Sequence, residues 1–91
     1  MYQVLARDES WGEAVAVAEP VDLITLADAK GHISLMIDED MRSLAAANCK
    51  PAVHLIGQPR WPSGAIECYV MEWLEGDFCG AVVYFIQKVG A

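Results

Sequence analysis

Two long runs rich in β-branched and aromatic residues close the chain, 65–75 and 78–88, and Gly76-Asp77 between them suits a tight reversal. The hairpin this predicts places Tyr69 opposite Tyr84, Met71 opposite Val82, Trp73 opposite Gly80 and Cys68 opposite Phe85. One face then carries Tyr69, Met71, Trp73, Val82, Tyr84 and Ile86, and the other Ile66, Cys68, Val70, Leu74, Val83 and Phe85. A hairpin wetted on one side alternates apolar with polar. Here both faces are apolar, so both need cover. Either the sheet curls on itself, or a second copy supplies the cover and Tyr69, Met71, Trp73, Val82 and Tyr84 form a dimer interface.

Upstream the pattern is shorter and more mixed. Residues 2–6 read as a strand, and Ser10-Trp11-Gly12-Glu13 matches a capping box, predicting a short helix over about 11–18 that Pro20 stops. The alternation Val15-Ala16-Val17-Ala18 reads equally well as a strand. Residues 21–26 and 32–37 read as two strands joined through Asp28-Ala29-Lys30-Gly31, where Gly31 suits a bulged turn. Asp38 is then the N-cap of a helix over about 38–49. Met41, Leu44, Ala45 and Asn48 lie on its inner stripe, Glu39 and Asp40 in its first turn, Lys50 at its end and Pro51 beyond. Residues 52–56 give another strand and 57–64, with two prolines and two glycines, a loop. The order is β-α-β-β-α-β plus a hairpin, a split β-α-β arrangement. If 13–18 is a strand, it becomes a mainly antiparallel meander with one helix. Both outcomes are α+β, one mainly antiparallel sheet.

Composition narrows the class. Ninety-one residues, 55 % hydrophobic and 21 % charged, predict a single globular domain and not a disordered chain. The longest apolar run, 81–86, is far below the ~18 residues of a membrane span. The first eight residues lack a basic start and an apolar core, so no secretory signal is expected. Three cysteines, Cys49, Cys68 and Cys79, are an odd number without zinc or redox spacing, which predicts reduced thiols and a cytoplasmic setting. The net charge of −7 is lopsided. Residues 1–40 hold nine acids against two bases, whereas 41–91 hold four of each. Such a field repels nucleic acid and anionic membranes and attracts basic protein surfaces.

Few residues suggest catalysis. Asp38-Glu39-Asp40 has the spacing of a divalent-cation site but lacks a further acidic cluster aimed at the same point, and a capped helix start accounts for it. Cys49 lies where a helix dipole disfavours a thiolate, so a Cys49–His54 nucleophile and base is poorly placed. A zinc site from Cys49, His54, His32 and Cys68 would need convergence by folding alone. No phosphate loop or nucleophile elbow occurs, and no cofactor is expected. Aromatic and arginine anchors suit binding better: Arg60 and Trp61 between two prolines, and Trp11 amid Asp8, Glu9 and Glu13.

The sequence therefore predicts a small acidic, non-enzymatic binding protein, an inhibitor of the immunity or anti-defence kind, that mimics nucleic-acid charge. Its acidic face would dock Asp8, Glu9, Trp11, Glu13, Asp38, Glu39, Asp40, Arg60 and Trp61 onto a basic, nucleic-acid-binding surface of a partner protein. The alternatives are a homodimeric scaffold or small-ligand-binding domain built on the hairpin, and a small enzyme using Cys49, His54 or the 38–40 cluster.

Overall fold

In a computed structural model of the chain, which describes residues 1–9, 15–16, 20–55, 62, 64–75 and 78–90, six strands form one antiparallel sheet beside one helix. The strands are β1 (Tyr2–Asp8), β2 (Val15–Ala16), β3 (Val21–Leu23), β4 (Ala52–Leu55), β5 (Ala65–Glu75) and β6 (Phe78–Lys88), with α1 (Leu26–Ala46) between β3 and β4. Their spatial order is β2-β1-β6-β5-β4, and β3 also pairs with β1. The sheet is open, and the class is α+β. Among the described residues no helix is long and apolar enough to cross a membrane.

The β5–β6 register is the predicted one: Tyr69 faces Tyr84, Met71 faces Val82, Trp73 faces Gly80 and Cys68 faces Phe85, with a bulge between Ala65 and Glu67. The Gly76-Asp77 reversal lies outside the described residues.

The helix differs from expectation. Residues 32–37, read as a strand, and the supposed turn at 28–31 are helical, and the strand read over 21–26 ends at Leu23. The physical reason is the stripe Leu26, Ala29, Ile33, Met36, Ile37, Met41, Leu44, which has helical spacing and meets the sheet. Ala29 and Ile33 are buried, whereas Leu35, which completed the strand-like alternation, is 63 % exposed. Gly31 in a helix interior costs about 1 kcal/mol relative to alanine. Burying Ile33 alone contributes about 1.5–3 kcal/mol, so packing wins.

Both helix ends follow from local chemistry. Thr25 caps the start, its hydroxyl accepting from the Asp28 N–H at 3.1 Å, so Asp38 is an exposed mid-helix residue and not an N-cap. The end comes at Ala46, not Cys49. Asn48 adopts a left-handed φ of 62°, its N–H donates to the Ala45 carbonyl, and the Cys49 N–H donates to that of Leu44. This double closure explains why Asn48 did not fit an apolar stripe. Of the two readings of this segment, a short helix over about 11–18 or a strand over 13–18, the described Val15–Ala16 follow the strand, paired with Arg7 and Asp8 of β1. Alternating valine and alanine favours that edge pairing over a helix begun at Gly12. The Ser10–Glu13 capping box lies outside the described residues. The order is therefore β-β-β-α-β-β-β and not split β-α-β.

One core lies between α1 and the sheet, where Val4, Ala6, Ala29, Ile33, Met71, Val82, Tyr84 and Ile86 are buried together. A second cluster on the opposite face joins Cys68, Val83 and Phe85, with the Arg7 guanidinium 4.8 Å from the centre of the Phe85 ring. Both hairpin faces are thus apolar, and α1 of the same chain covers the first.

A candidate binding groove beside the acidic helix

α1 presents one stripe to the sheet and leaves Asp28, Asp38, Glu39 and Asp40 on its exposed surface. Asp28 sits in the first turn, where the helix dipole favours it. Asp38, Glu39 and Asp40 lie in the helix interior, beyond that benefit. Among the described residues the ion pairs are Lys30 with Glu67 at 3.3 Å and His54 with Glu72 at 3.9 Å, and neither involves the 38–40 acids.

Asp40 is tied down differently. Tyr84, fully buried in β6, donates its hydroxyl to Asp40 Oδ2 at 2.5 Å. Burial pushes the phenol far above its ordinary value, and the hydrogen bond to Asp40 and that residue's negative charge add to the effect. Tyr84 stays protonated and holds the carboxylate over the edge of the core.

That edge opens into a groove of about 540 Å³ between α1 and the sheet. Its floor is Val4, Ala6, Met71 and Val82. The helix wall presents Met36 and Leu44 with four polar residues, His32, Glu39, Asp40 and Ser43. Trp73 borders it from β5. The indole lies over Gly80, so close that a Cβ there would collide with the ring. Only glycine at the cross-strand position admits that ring placement. A smaller hollow of about 280 Å³ beyond Trp73 is lined by Lys50, Ala52, His54, Glu72 and Leu74. An apolar floor with a few convergent polar groups is the usual make-up of a ligand site.

The structure disperses the remaining residues singled out from the sequence. Asp8 ends β1 and Glu9 follows it, exposed, its N–H bonded to the Ala81 carbonyl. Trp11, Glu13, Arg60 and Trp61 lie outside the described residues. Of the residues weighed for a dimer interface, Met71, Val82 and Tyr84 are buried beneath α1, with Tyr69 and Trp73 half-buried beside them. Cys49 and Cys68 are buried free thiols. Burial and, to a lesser extent, the nearby Glu9 push Cys68 up to about 11, against a small opposing pull from Arg7. His32 lines the groove, His54 stands on the exposed β4, and Cys68 packs on the far face. Among the described residues no three histidine, cysteine or acidic side chains form a group that could hold a metal ion.

Sequence reasoning found Glu39 and Asp40 and weighed His32 only as a zinc ligand, but missed Met36, Ser43 and the Tyr84 bond. Their shared helix face appears only when 32–37 is read as helical. The signal was the stripe from Leu26 to Leu44, which begins about three turns before Asp38. No family model matches this chain, and neither the curated proteins nor the solved structures contain a match to it.

Proposed function

We propose that this chain is a non-enzymatic binding protein that docks an acidic surface, centred on α1, onto a basic surface of another protein. The observation that carries this reading is the position of Asp38 and Glu39. Both are exposed in a helix interior and have no capping role, and Glu39 lines a groove with an apolar floor. A carboxylate there gains nothing from the dipole, and aspartate is a poor interior helix former. Their value lies in attraction to an external cation. Asp8 and Glu9 extend the same sign of charge from β1.

A nucleic-acid-binding groove of an enzyme or effector complex is the partner surface this charge fits, and occlusion of that groove is the mechanism. The odd number of cysteines and the buried Cys49 and Cys68 thiols support a reducing, cytoplasmic setting. The test is competition with a short oligonucleotide for basic nucleic-acid-binding proteins, at low and physiological salt. The wild type should compete in a salt-dependent way, and the Asp38→Lys/Glu39→Lys double variant should associate more slowly. Equal competition by both proteins would reject charge docking through α1.

The groove favours a second reading, a small-ligand-binding domain that uses Met71, Trp73 and Val82 of the hairpin. A neutral ligand whose affinity ignores both salt and the charge reversal would support that reading instead.

A further inference from the structure

We infer that the groove between α1 and the sheet is an anchor pocket for a single arginine side chain projected by the basic partner. This rests on the docking reading above and adds the residue class that is recognised. The pocket supplies three things an arginine needs. The first is an apolar floor, Val4, Ala6 and Val82, for the methylene stem. The second is an aromatic border, because Trp73 is held in place over Gly80, and guanidinium groups pack on indole rings.

The third is negative charge already oriented at the rim. Tyr84 occupies Asp40 Oδ2, which fixes the carboxylate and leaves Oδ1 to accept from outside, with Glu39 one residue away on the same wall. Orienting the acceptor beforehand lowers the ordering cost of association. The lining contains no lysine or arginine, and of the two bases of α1, Lys30 is engaged with Glu67 and Arg42 lies exposed outside the lining. Within the groove, the site for a cation is thus left to an external group. A bare metal ion fits poorly, since among the described residues no three histidine, cysteine or acidic side chains come together as a group that could hold one. A phosphate would be repelled. Arginine is favoured over lysine because its planar fork can bond two carboxylate oxygens and lie along an indole together.

The probe is a blocked Gly-Arg-Gly peptide, titrated into the ¹⁵N-labelled full chain beside its citrulline counterpart, which has the same shape without the charge. Trp73→Phe identifies the Trp73 indole signal. We expect saturable shifts of that indole and of the Met36, Glu39, Ser43 and Val82 amides with the arginine peptide. The citrulline peptide should bind about tenfold more weakly or worse, and the exposed Glu39→Gln should weaken arginine binding about three- to tenfold without disturbing the fold. Equal binding of the two peptides would overturn the inference. So would shifts spread over Asp8, Glu9 and Asp22 that bypass the groove, a result that leaves docking by the acidic surface standing. Conversely, saturable binding at the groove that discriminates citrulline would support the arginine pocket even where no oligonucleotide competition is seen, so the two readings fail separately.

Discussion

Replacing Tyr84 by phenylalanine removes one hydroxyl from the middle of the fold and leaves the ring. The hydroxyl donates to the Asp40 carboxylate, tying β6 to the centre of α1. A hydrogen bond to a charged acceptor contributes about 1.5–3 kcal/mol net. Asp40 is solvent-accessible, so its freed oxygen can take water, which puts the loss near the lower end, about 1.5 kcal/mol. For a domain of this size that corresponds to a fall in Tm of roughly 6–12 °C near neutral pH. The pH dependence sharpens the test. The Tyr84 phenol is raised above its unfolded value near 10, chiefly by burial. A group of this kind contributes stability that is fully present below the unfolded pKa and is lost as pH rises above it, by about 1.4 kcal/mol per unit until the folded value is reached. Phenylalanine does not titrate. The stability gap between wild type and Tyr84→Phe should therefore be constant from pH 7 to 9 and shrink above 10. Other alkaline groups, the Cys68 thiol and Tyr69 among them, are common to both proteins and cancel. Urea unfolding at pH 8, 10 and 11 measures the gap directly. A gap near zero at pH 8, or one that does not close by pH 11, would refute the Tyr84–Asp40 bond as a stabilising contact.

Two further substitutions probe the elements that build the groove. Ile33→Ala should cost about 2–5 kcal/mol in urea unfolding and Leu35→Ala less than about 0.5 kcal/mol, because only Ile33 faces the sheet. Similar losses at both would mean that 32–37 alternates as a strand. Gly80→Ala would drive a methyl into the Trp73 ring and should cost about 1–3 kcal/mol, with Trp73 fluorescence shifting toward that of a wetter indole. Unchanged stability and emission there would show that the ring does not rest on Gly80.

The hairpin was legible because its information is local. Period-two patterning over 65–75 and 78–88, with Gly76-Asp77 between, fixes which residues meet, and the pairs from Tyr69–Tyr84 to Trp73–Gly80 stand in that register. The α+β class and the apolar character of both hairpin faces followed from the same pattern. The segment 26–37 was ambiguous for a physical reason. Ile33, Leu35 and Ile37 satisfy a strand, Ile33, Met36 and Ile37 satisfy a helix, and Gly31 suits a turn. What decides between them is distant in sequence. The apolar face of β1 and β6 needs cover, and only a helix long enough to lay Ala29, Ile33, Met36 and Met41 along it supplies that cover from one segment. Thr25 carried a usable start signal, but Asp38 offered an equally good one closer to the clear stripe at Met41 and Leu44.

Moving the helix start from Asp38 to Thr25 changes what the acids mean. As a cap and first turn, Asp38, Glu39 and Asp40 would be explained by stability alone, since caps and dipole contacts contribute about 0.5–2 kcal/mol. In the interior, each aspartate instead costs up to about 0.7 kcal/mol relative to alanine. Asp40 recovers this through Tyr84. Asp38 and Glu39 have no ion-pair partner among the described residues. Solubility is a weak explanation for Asp38, because glutamate would give the same charge at a lower helical cost. Under the docking proposal, exposed carboxylates with no capping role are explained by the cation they attract, and Glu39 stands on the groove wall beside the oriented Asp40 carboxylate. The same relocation brings His32, Met36, Glu39 and Ser43 onto one wall, so the element that removes the structural explanation for the acids also supplies the pocket they border.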